Sequence, residues 1–218
     1  FSLFGFDSLS GQYDIGKREA PTLEAFRDRF QLMGETSGRT ASGEHLLLQR
    51  MRDNLTEGVL LSDEQLLEYD RRIKTVTDRI NDARLAAAHE PIEWKYFQYL
   101  SLLFTEVYLD YLFTKPEKLL EGVNQQITRW NEHWIAEQGF KHKPLELMNA
   151  DDDLWPQLNM LAYWSATGSG KTLIMHANIL QYRYYLREYG KAGDINKIIL
   201  LTPNEGLSRQ HMGDLALS

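Results

Sequence analysis

The sequence predicts an α+β protein in which an all-helical region, residues 1–145, precedes the beginning of an α/β unit, residues 146–218. Two observations carry this prediction. Apolar residues recur every three or four positions through much of the first region, which is typical of helices that pack against one another. In the second region a glycine-rich loop and a helical pattern precede the run KIILLT, residues 197–202. A run of isoleucine and leucine of this length is typical of a parallel strand buried on both faces.

The clearest helix of the first region is predicted to begin at Ser62, because Gln65 three residues later completes a capping box. Apolar residues then recur at alternating spacings of three and four, which places them on one stripe of a helix. The stripe consists of Leu66, Tyr69, Ile73, Val76, Ile80, Ala83 and Ala87. Away from it, acidic residues such as Asp70 are interleaved with arginines, so we interpret the charged face as solvated rather than as a nucleic-acid track.

Shorter helices are predicted at residues 23–33 and 43–54, with a loop rich in glycine, serine and threonine, residues 34–43, between them. The segment 92–113 carries aromatic and apolar residues on nearly every side. This distribution predicts the central helix of a bundle rather than a surface that stacks nucleic-acid bases.

One more helix is predicted to open at Thr114 and Glu117, which have the spacing of a capping box, with Pro116 in the first turn. It reaches about Gln138, and Gly139 closes it. In the second region the order of LNMLAYW, the glycine loop, a helical segment and KIILLT predicts a βαβ unit with a right-handed crossover.

The composition restricts the class of protein. With 218 residues, 43% of them hydrophobic and 25% charged, the chain has a globular rather than a disordered composition. The absence of cysteine excludes disulfides and thiolate metal sites. A net charge of −7 argues against binding nucleic acid through a bulk positive field, so any nucleic-acid contact is expected to be local.

The beginning of the chain and its most apolar window predict the location of the protein. FSLFGFDSLSG lacks the basic start and apolar block of a secretory signal, and it lacks an initiator methionine, so we expect a partial chain. The window from Ile92 to Phe113 holds several charged residues, too many for a membrane span. We expect a cytoplasmic protein without a membrane partner.

The run TGSGKT, residues 167–172, predicts a phosphate-binding loop. Gly168 and Gly170 permit the positive φ angles that curl a backbone into an anion-binding nest, and the following helix directs its first N–H groups at the phosphates. Lys171 is expected to reach the β- and γ-phosphates, and the Thr172 hydroxyl to ligate Mg²⁺. These two residues are the catalytic candidates, and the predicted cofactor-binding residues are Ala166, Thr167, Gly168, Ser169, Gly170, Lys171 and Thr172. Ser165 replaces the first glycine of the strict pattern, outside this core.

The loop and the block that follows it together resemble a family. ATGSGKT, about 30 residues before LLTPNEGLSRQH, resembles the superfamily-two DEAD/DEAH-type helicases and translocases, particularly the motor subunits of type III restriction enzymes. The first motif of that family commonly reads A-x-T-G-S-G-K-T, and its motif Ia reads roughly P-T-R-E-L-A-x-Q. The positions of motif Ia that match are Pro203, Leu207 and Gln210, with a small residue kept at Ser208. The positions that depart are Asn204, Glu205 and Gly206, so no role of the family's Arg–Glu pair is carried over.

The resemblance covers about 60 residues, from 158 to 218, and implies a function. It implies the start of a RecA-like P-loop ATPase domain, with ATP and Mg²⁺ as cofactors. In the full-length protein it implies an ATP hydrolase that acts as a helicase or translocase, with DNA favoured over RNA. A restriction or phage-defence system, with nuclease or methyltransferase subunits as partners, is the implied setting.

In this family motif Ia lies along the backbone of one nucleic-acid strand. The nucleic-acid-binding residues that the resemblance implies here are Thr202, Pro203, Asn204, Ser208 and Arg209. Hydroxyl, amide and guanidinium groups donate to phosphate oxygens without demanding a base sequence. An ordinary strand-to-helix cap is the alternative interpretation of the same residues.

Family members also often carry a glutamine ahead of the first motif that recognises adenine. Two glutamines are candidates: Gln98 lies 73 residues before Lys171, and Gln157 lies 14 residues before it. The usual separation lies between these two values. A structural role is the alternative for each of them.

Hydrolysis in this family needs an acidic D-E-x-x strand end and arginines from a second domain. Neither follows the loop in this sequence, so we expect the N-terminal part of a longer motor, which by itself binds nucleotide without turning it over. Two alternatives remain. One is a P-loop NTPase of another class that does not act on nucleic acid, and the other is a non-enzymatic helical interaction module with a vestigial loop.

Overall fold

Seven helices form the described part of the protein in a computed structural model. The described residues are 37–54, 61–138, 143–149, 153–163, 168–202 and 204–215. The helices are α1 (Leu46–Asn54), α2 (Asp63–Ala86), α3 (Tyr96–Thr114), α4 (Pro116–Gln138), α5 (Leu154–Leu158), α6 (Lys171–Glu188) and α7 (Glu205–Leu215). The helix predicted at residues 23–33, the loop start at 34–36 and Gly139 lie outside these residues.

The predicted α+β class, with a parallel-strand α/β unit after the helical region, is wrong for the described residues, which contain no β-strand and only one isolated bridge, between Arg39 and His45. The run KIILLT has no regular secondary structure and pairs with no neighbour among these residues. Its side chains Ile198, Ile199 and Leu201 are 61%, 78% and 88% exposed. An apolar pattern reports only the tendency to be buried, whereas a strand also needs a second backbone for its hydrogen bonds. No parallel-strand RecA-like domain is therefore seen in the part of the chain that the structure describes.

Two compact units make up the chain: residues 1–106 with 165–218, and residues 107–164. In the first unit, α1, α2, α6 and the beginning of α3 bury apolar side chains. The fully or almost fully buried ones include Leu47, Leu48, Met51, Leu66, Ile73, Ile80, Tyr99, Leu102, Leu103, Ile174, Ala177 and Tyr185. The prediction that α2 buries one apolar stripe is confirmed from Leu66 to Ile80. Beyond Ile80, Ala83 is only half-buried, and Ala87 is exposed and lies after the last helical residue.

The predicted capping box at the start of α2 is confirmed. The Gln65 amide donates to Ser62 Oγ at 3.2 Å, and the Ser62 amide donates to Gln65 Oε1 at 2.9 Å. The second predicted box does not form in this way. Thr114 is the last residue of α3, and its hydroxyl donates to the Asp110 carbonyl at 2.6 Å. Only Lys115 separates α3 from α4, so Thr114 belongs to the last turn of α3 and does not cap α4.

The charged face of α2 is only partly solvated. Asp70 is 3% exposed and belongs to the core, where it accepts hydrogen bonds from Arg39, His45 and Tyr99. Our interpretation of Asp70 as a solvated residue is wrong, because its partners come from segments 25 to 31 residues away.

In the second unit the irregular segment 143–149 is held against α4 by two asparagines that are seven residues, or two helical turns, apart. Asn124 exchanges two hydrogen bonds of 2.8 Å with the backbone of Met148. Asn131 does the same with the backbone of Leu145. Side-chain amides thus supply the backbone partners that a strand would otherwise require.

Among the described residues, no helix combines the length and the apolar character needed to cross a membrane.

Candidate functional site

The described part of the predicted phosphate loop is Gly168–Ser169–Gly170, called the glycine loop here. Gly168 has φ of 76° and Gly170 has φ of 81°, and both values lie in the left-handed region that side chains disfavour. The two glycines therefore have the conformation that the sequence pattern demands. Two further residues of the prediction, Ala166 and Thr167, lie outside the described residues, as does Ser165.

The glycine loop leads directly into α6. Gly170 is the N-cap of this 18-residue helix and, having no side chain, makes no side-chain hydrogen bond to it. The first N–H groups of a helix have no intrahelical acceptor, and together with the helix dipole they attract an anion. Lys171 is the first residue of α6 and is exposed. The Thr172 hydroxyl follows it, and no described residue hydrogen-bonds to that group.

Ser169, between the two glycines, carries a buried hydroxyl without a hydrogen-bond partner in the described part of the chain. A buried hydroxyl left unpaired costs about 1–3 kcal/mol. A bound anion would supply the missing acceptor. Sequence reasoning included Ser169 only as a member of the motif, because the burial of its oxygen depends on contacts that the motif does not contain.

Gln98, near the start of α3, contacts the glycine loop from 71 positions away. Its Nε2 donates to the Ser169 carbonyl at 2.9 Å, and its Oε1 accepts the Lys95 amide at 2.9 Å. Gln157, the other candidate for adenine recognition, bonds within the second unit. Its carboxamide holds the backbone of Asn149 and of Asp153.

A buried polar cluster anchors α6 to α2 and α3. Gln181 Nε2 donates to the Leu102 carbonyl at 3.0 Å and to Glu106 Oε1 at 2.8 Å. The Tyr185 hydroxyl lies 2.9 Å from Glu106 Oε2 and accepts from Arg72 at 2.7 Å. These bonds hold the middle and the end of α6 in register, and thereby its beginning, where Lys171 lies.

The far end of α6 is closed by Gly190. Gly190 has φ of 69°, its amide donates to the Arg187 carbonyl at 3.2 Å, and the Lys191 amide donates to the Leu186 carbonyl at 2.7 Å. This pair of bonds is the Schellman motif. The helix after the glycine loop is therefore defined at both of its ends.

The residues implied by motif Ia surround the start of α7 and bond to one another. Asn204 accepts the Leu207 amide at 2.9 Å, and Thr202 Oγ1 lies 2.5 Å from Ser208 Oγ. Arg209 donates to Glu205 at 2.6 Å, and both side chains are about four-fifths exposed. This geometry is that of a helix cap with one exposed ion pair. Pro203 lies outside the described residues.

The described residues of the loop fit a polyphosphate with magnesium. The unpaired Ser169 hydroxyl and the uncapped helix start can meet phosphate oxygens, and the Thr172 hydroxyl is a hard oxygen ligand suited to Mg²⁺. No group of three or more acidic, histidine or cysteine residues that could hold a metal is present in the described part of the chain. Magnesium would therefore take most of its ligands from phosphate and water, as it usually does with nucleotides.

Comparisons with known proteins yield no match: no family model, no curated protein and no solved structure is similar to this chain.

Proposed function

We propose that this chain carries the ATP-binding loop of an ATP-dependent helicase or translocase that acts on nucleic acid in a restriction or phage-defence system. One observation carries the proposal. Two glycines in the left-handed region flank a buried hydroxyl that has no hydrogen-bond partner among the described residues, directly before the uncapped start of a long helix. A triphosphate satisfies all of these groups at once.

Each residue of the site has a distinct role in this proposal. Backbone N–H groups of the glycine loop and of the first turn of α6 bind the phosphate oxygens. Lys171 adds a full positive charge at the helix start, and Thr172 holds the magnesium ion. That ion, when bound, neutralises charge on the β- and γ-phosphates. The assignment to nucleic-acid motors rests on LLTPNEGLSRQH downstream of the loop.

Lys171→Ala tests nucleotide binding. We expect wild type to gain about 2.7 kcal/mol of unfolding free energy at an ATP concentration of 100 times Kd with magnesium, and the variant to gain little. Denaturant unfolding with and without MgATP measures this difference. Lys197→Ala removes another exposed lysine, one that makes no ion pair in the described part of the chain, and should respond to MgATP as wild type does.

The two other classes of protein give different results in the same series. If MgATP does not stabilise wild type, the chain is a helical interaction module with a vestigial loop. If MgATP binds but nucleic acid never stimulates hydrolysis by the full-length protein, the chain belongs to an NTPase of another class. Either result would contradict the proposal.

Arg209→Ala tests the nucleic-acid contact. The pair of Arg209 with Glu205 is exposed and therefore weak, so a phosphate can replace the carboxylate. We expect single-stranded DNA to bind about three- to tenfold more weakly whatever its sequence, with a salt dependence reduced by about one ion. Fluorescence anisotropy at several salt concentrations measures both quantities.

Arg71→Ala is the matched control for this substitution. Arg71 is also exposed on a helix, and it pairs with Glu68 three residues away. Its loss should leave DNA affinity unchanged. Equal effects of the two substitutions would show that the DNA responds only to total charge, and no effect of Arg209→Ala would leave the motif Ia residues as a helix cap.

A further inference from the structure

Gln98 occupies a defined position between α3 and the glycine loop. It is the third residue of α3, and its Oε1 accepts the amide of Lys95, the residue just before the helix. That bond is one half of a capping box and fixes the orientation of the carboxamide. The amide nitrogen then points at the glycine loop, where it donates to the Ser169 carbonyl.

Gly170 leaves the space that this contact needs. A Cβ atom placed on Gly170 would lie 2.5 Å from Gln98 Nε2. A Cβ atom on Gly168, which also has a positive φ, would meet nothing within 4 Å. A side chain at position 170 would therefore displace the Gln98 carboxamide from the loop, in addition to straining the backbone at its positive φ.

We infer that Gln98 is a positioning residue that holds the glycine loop in its anion-binding conformation. This inference rests on the proposed function. Glycine has more conformational freedom than any other residue, so a loop with two glycines loses much entropy when it is ordered. A side-chain bond to the carbonyl between them orders the loop before the ligand arrives, and preorganisation of this kind raises affinity.

Recognition of adenine by Gln98 makes a different demand on the same carboxamide. To read the N6 and N7 edge, both its oxygen and its nitrogen would have to face the base. In this structure the oxygen faces the Lys95 amide and the nitrogen faces Ser169. Positioning predicts an effect on every ligand that carries the phosphates, whereas recognition predicts an effect on adenine nucleotides alone.

Gln98→Met removes the carboxamide at similar volume and without adding charge. Binding to magnesium tripolyphosphate, MgATP and MgGTP is measured by calorimetry. We expect each ligand that wild type binds to bind roughly three- to tenfold more weakly, by a common factor, as the loss of one hydrogen bond implies. Gln65→Met is the matched control, because Gln65 also caps its helix from the third position but makes no hydrogen bond to the glycine loop.

Motion of the loop in the ligand-free protein is a second readout. Backbone order parameters of Gly168 and Gly170 should fall in Gln98→Met and stay at wild-type values in Gln65→Met. A side chain that only caps α3 would lower stability without this change. Unchanged order parameters, or a loss of affinity for ATP alone, would overturn the inference.

Glycine substitutions give an independent check if Gln98→Met folds poorly. Gly170→Ala and Gly168→Ala introduce the same backbone strain, but only the first displaces Gln98. We expect Gly170→Ala to weaken tripolyphosphate binding the more, and equal losses would contradict the inference. If wild type binds none of the three ligands, the proposed function fails and the inference fails with it. If wild type binds them and Gln98→Met binds equally well, only the inference fails.

Discussion

Replacing Asp70 by alanine should lower the free energy of unfolding by about 3–5 kcal/mol, because it removes the acceptor of two buried donors and one partner of an ion pair whose carboxylate is buried. Asp70 is 3% exposed. Its carboxylate accepts from Arg39 at 2.8 Å, from the Tyr99 hydroxyl at 2.7 Å and from the His45 amide at 3.2 Å. Without Asp70, the Tyr99 hydroxyl and the His45 amide would lose their acceptor in the core. The partly exposed Arg39 would keep only the Gly43 carbonyl among the described residues.

Denaturant unfolding measures this loss, and the same helix supplies the control. Asp78 also lies on α2 and also forms an ion pair, with Lys74, but that pair is about half exposed. Asp78→Ala should therefore cost less than about 1 kcal/mol. Asp70→Asn, which keeps one acceptor oxygen, should fall between the two. A loss for Asp70→Ala no larger than that for Asp78→Ala would show that the buried network contributes nothing to stability.

Acidification should destabilise the protein through His45 by about 3 kcal/mol between neutral pH and pH 4. Burial and the nearby Arg39 lower the pKa of His45 from 6.5 to about 4, while Asp70 and the Trp94 backbone act in the opposite direction. The ring is 2% exposed, it stacks on Tyr99 with centroids 3.7 Å apart, and its Nδ1 accepts the Leu47 amide. Only the neutral ring fits these surroundings.

The direction of the effect follows from proton binding. Below pH 6.5 the unfolded chain binds a proton at His45, whereas the folded protein does not until the pH approaches 4. The contribution of His45 to the free energy of unfolding is therefore fully present above pH 6.5 and disappears as the pH falls toward 4. His45→Asn keeps an acceptor for the Leu47 amide but does not titrate, so its unfolding free energy should fall less steeply over this range. Parallel pH profiles of the variant and wild type would contradict the prediction.

Helix boundaries and loop conformations were largely predictable, because their causes lie within a few residues. Ser62 and Gln65 cap α2 through bonds between residues three apart. Gly168 and Gly170 take up positive φ angles because they lack a Cβ atom, and Gly190 ends α6 for the same reason. The predicted capping box at Thr114 is wrong, since Thr114 is the last residue of α3 and its hydroxyl bonds within that helix.

The buried polar residues were not predictable from local patterns. Asp70 occurs among charged neighbours and looks solvated, but residues near positions 39, 45 and 99 enclose it. The prediction that KIILLT is a buried strand is wrong in the opposite direction, because its side chains are apolar but exposed. Whether a side chain is buried depends on which segments of the chain pack against it, and the spacing of apolar residues within one segment does not show which segments those are.

By itself the sequence determined the long helices, the cap of α2 and a glycine loop with positive φ at both of its glycines, since short-range sterics and hydrogen bonds decide these features. Only the tertiary structure decided that Gln98 reaches that loop across 71 residues and that α6 is anchored by Glu106 through Gln181 and Tyr185. It also decided that no strand forms among the described residues. Such contacts join distant segments, and their free energy comes from desolvation and packing that exist only once the chain has folded.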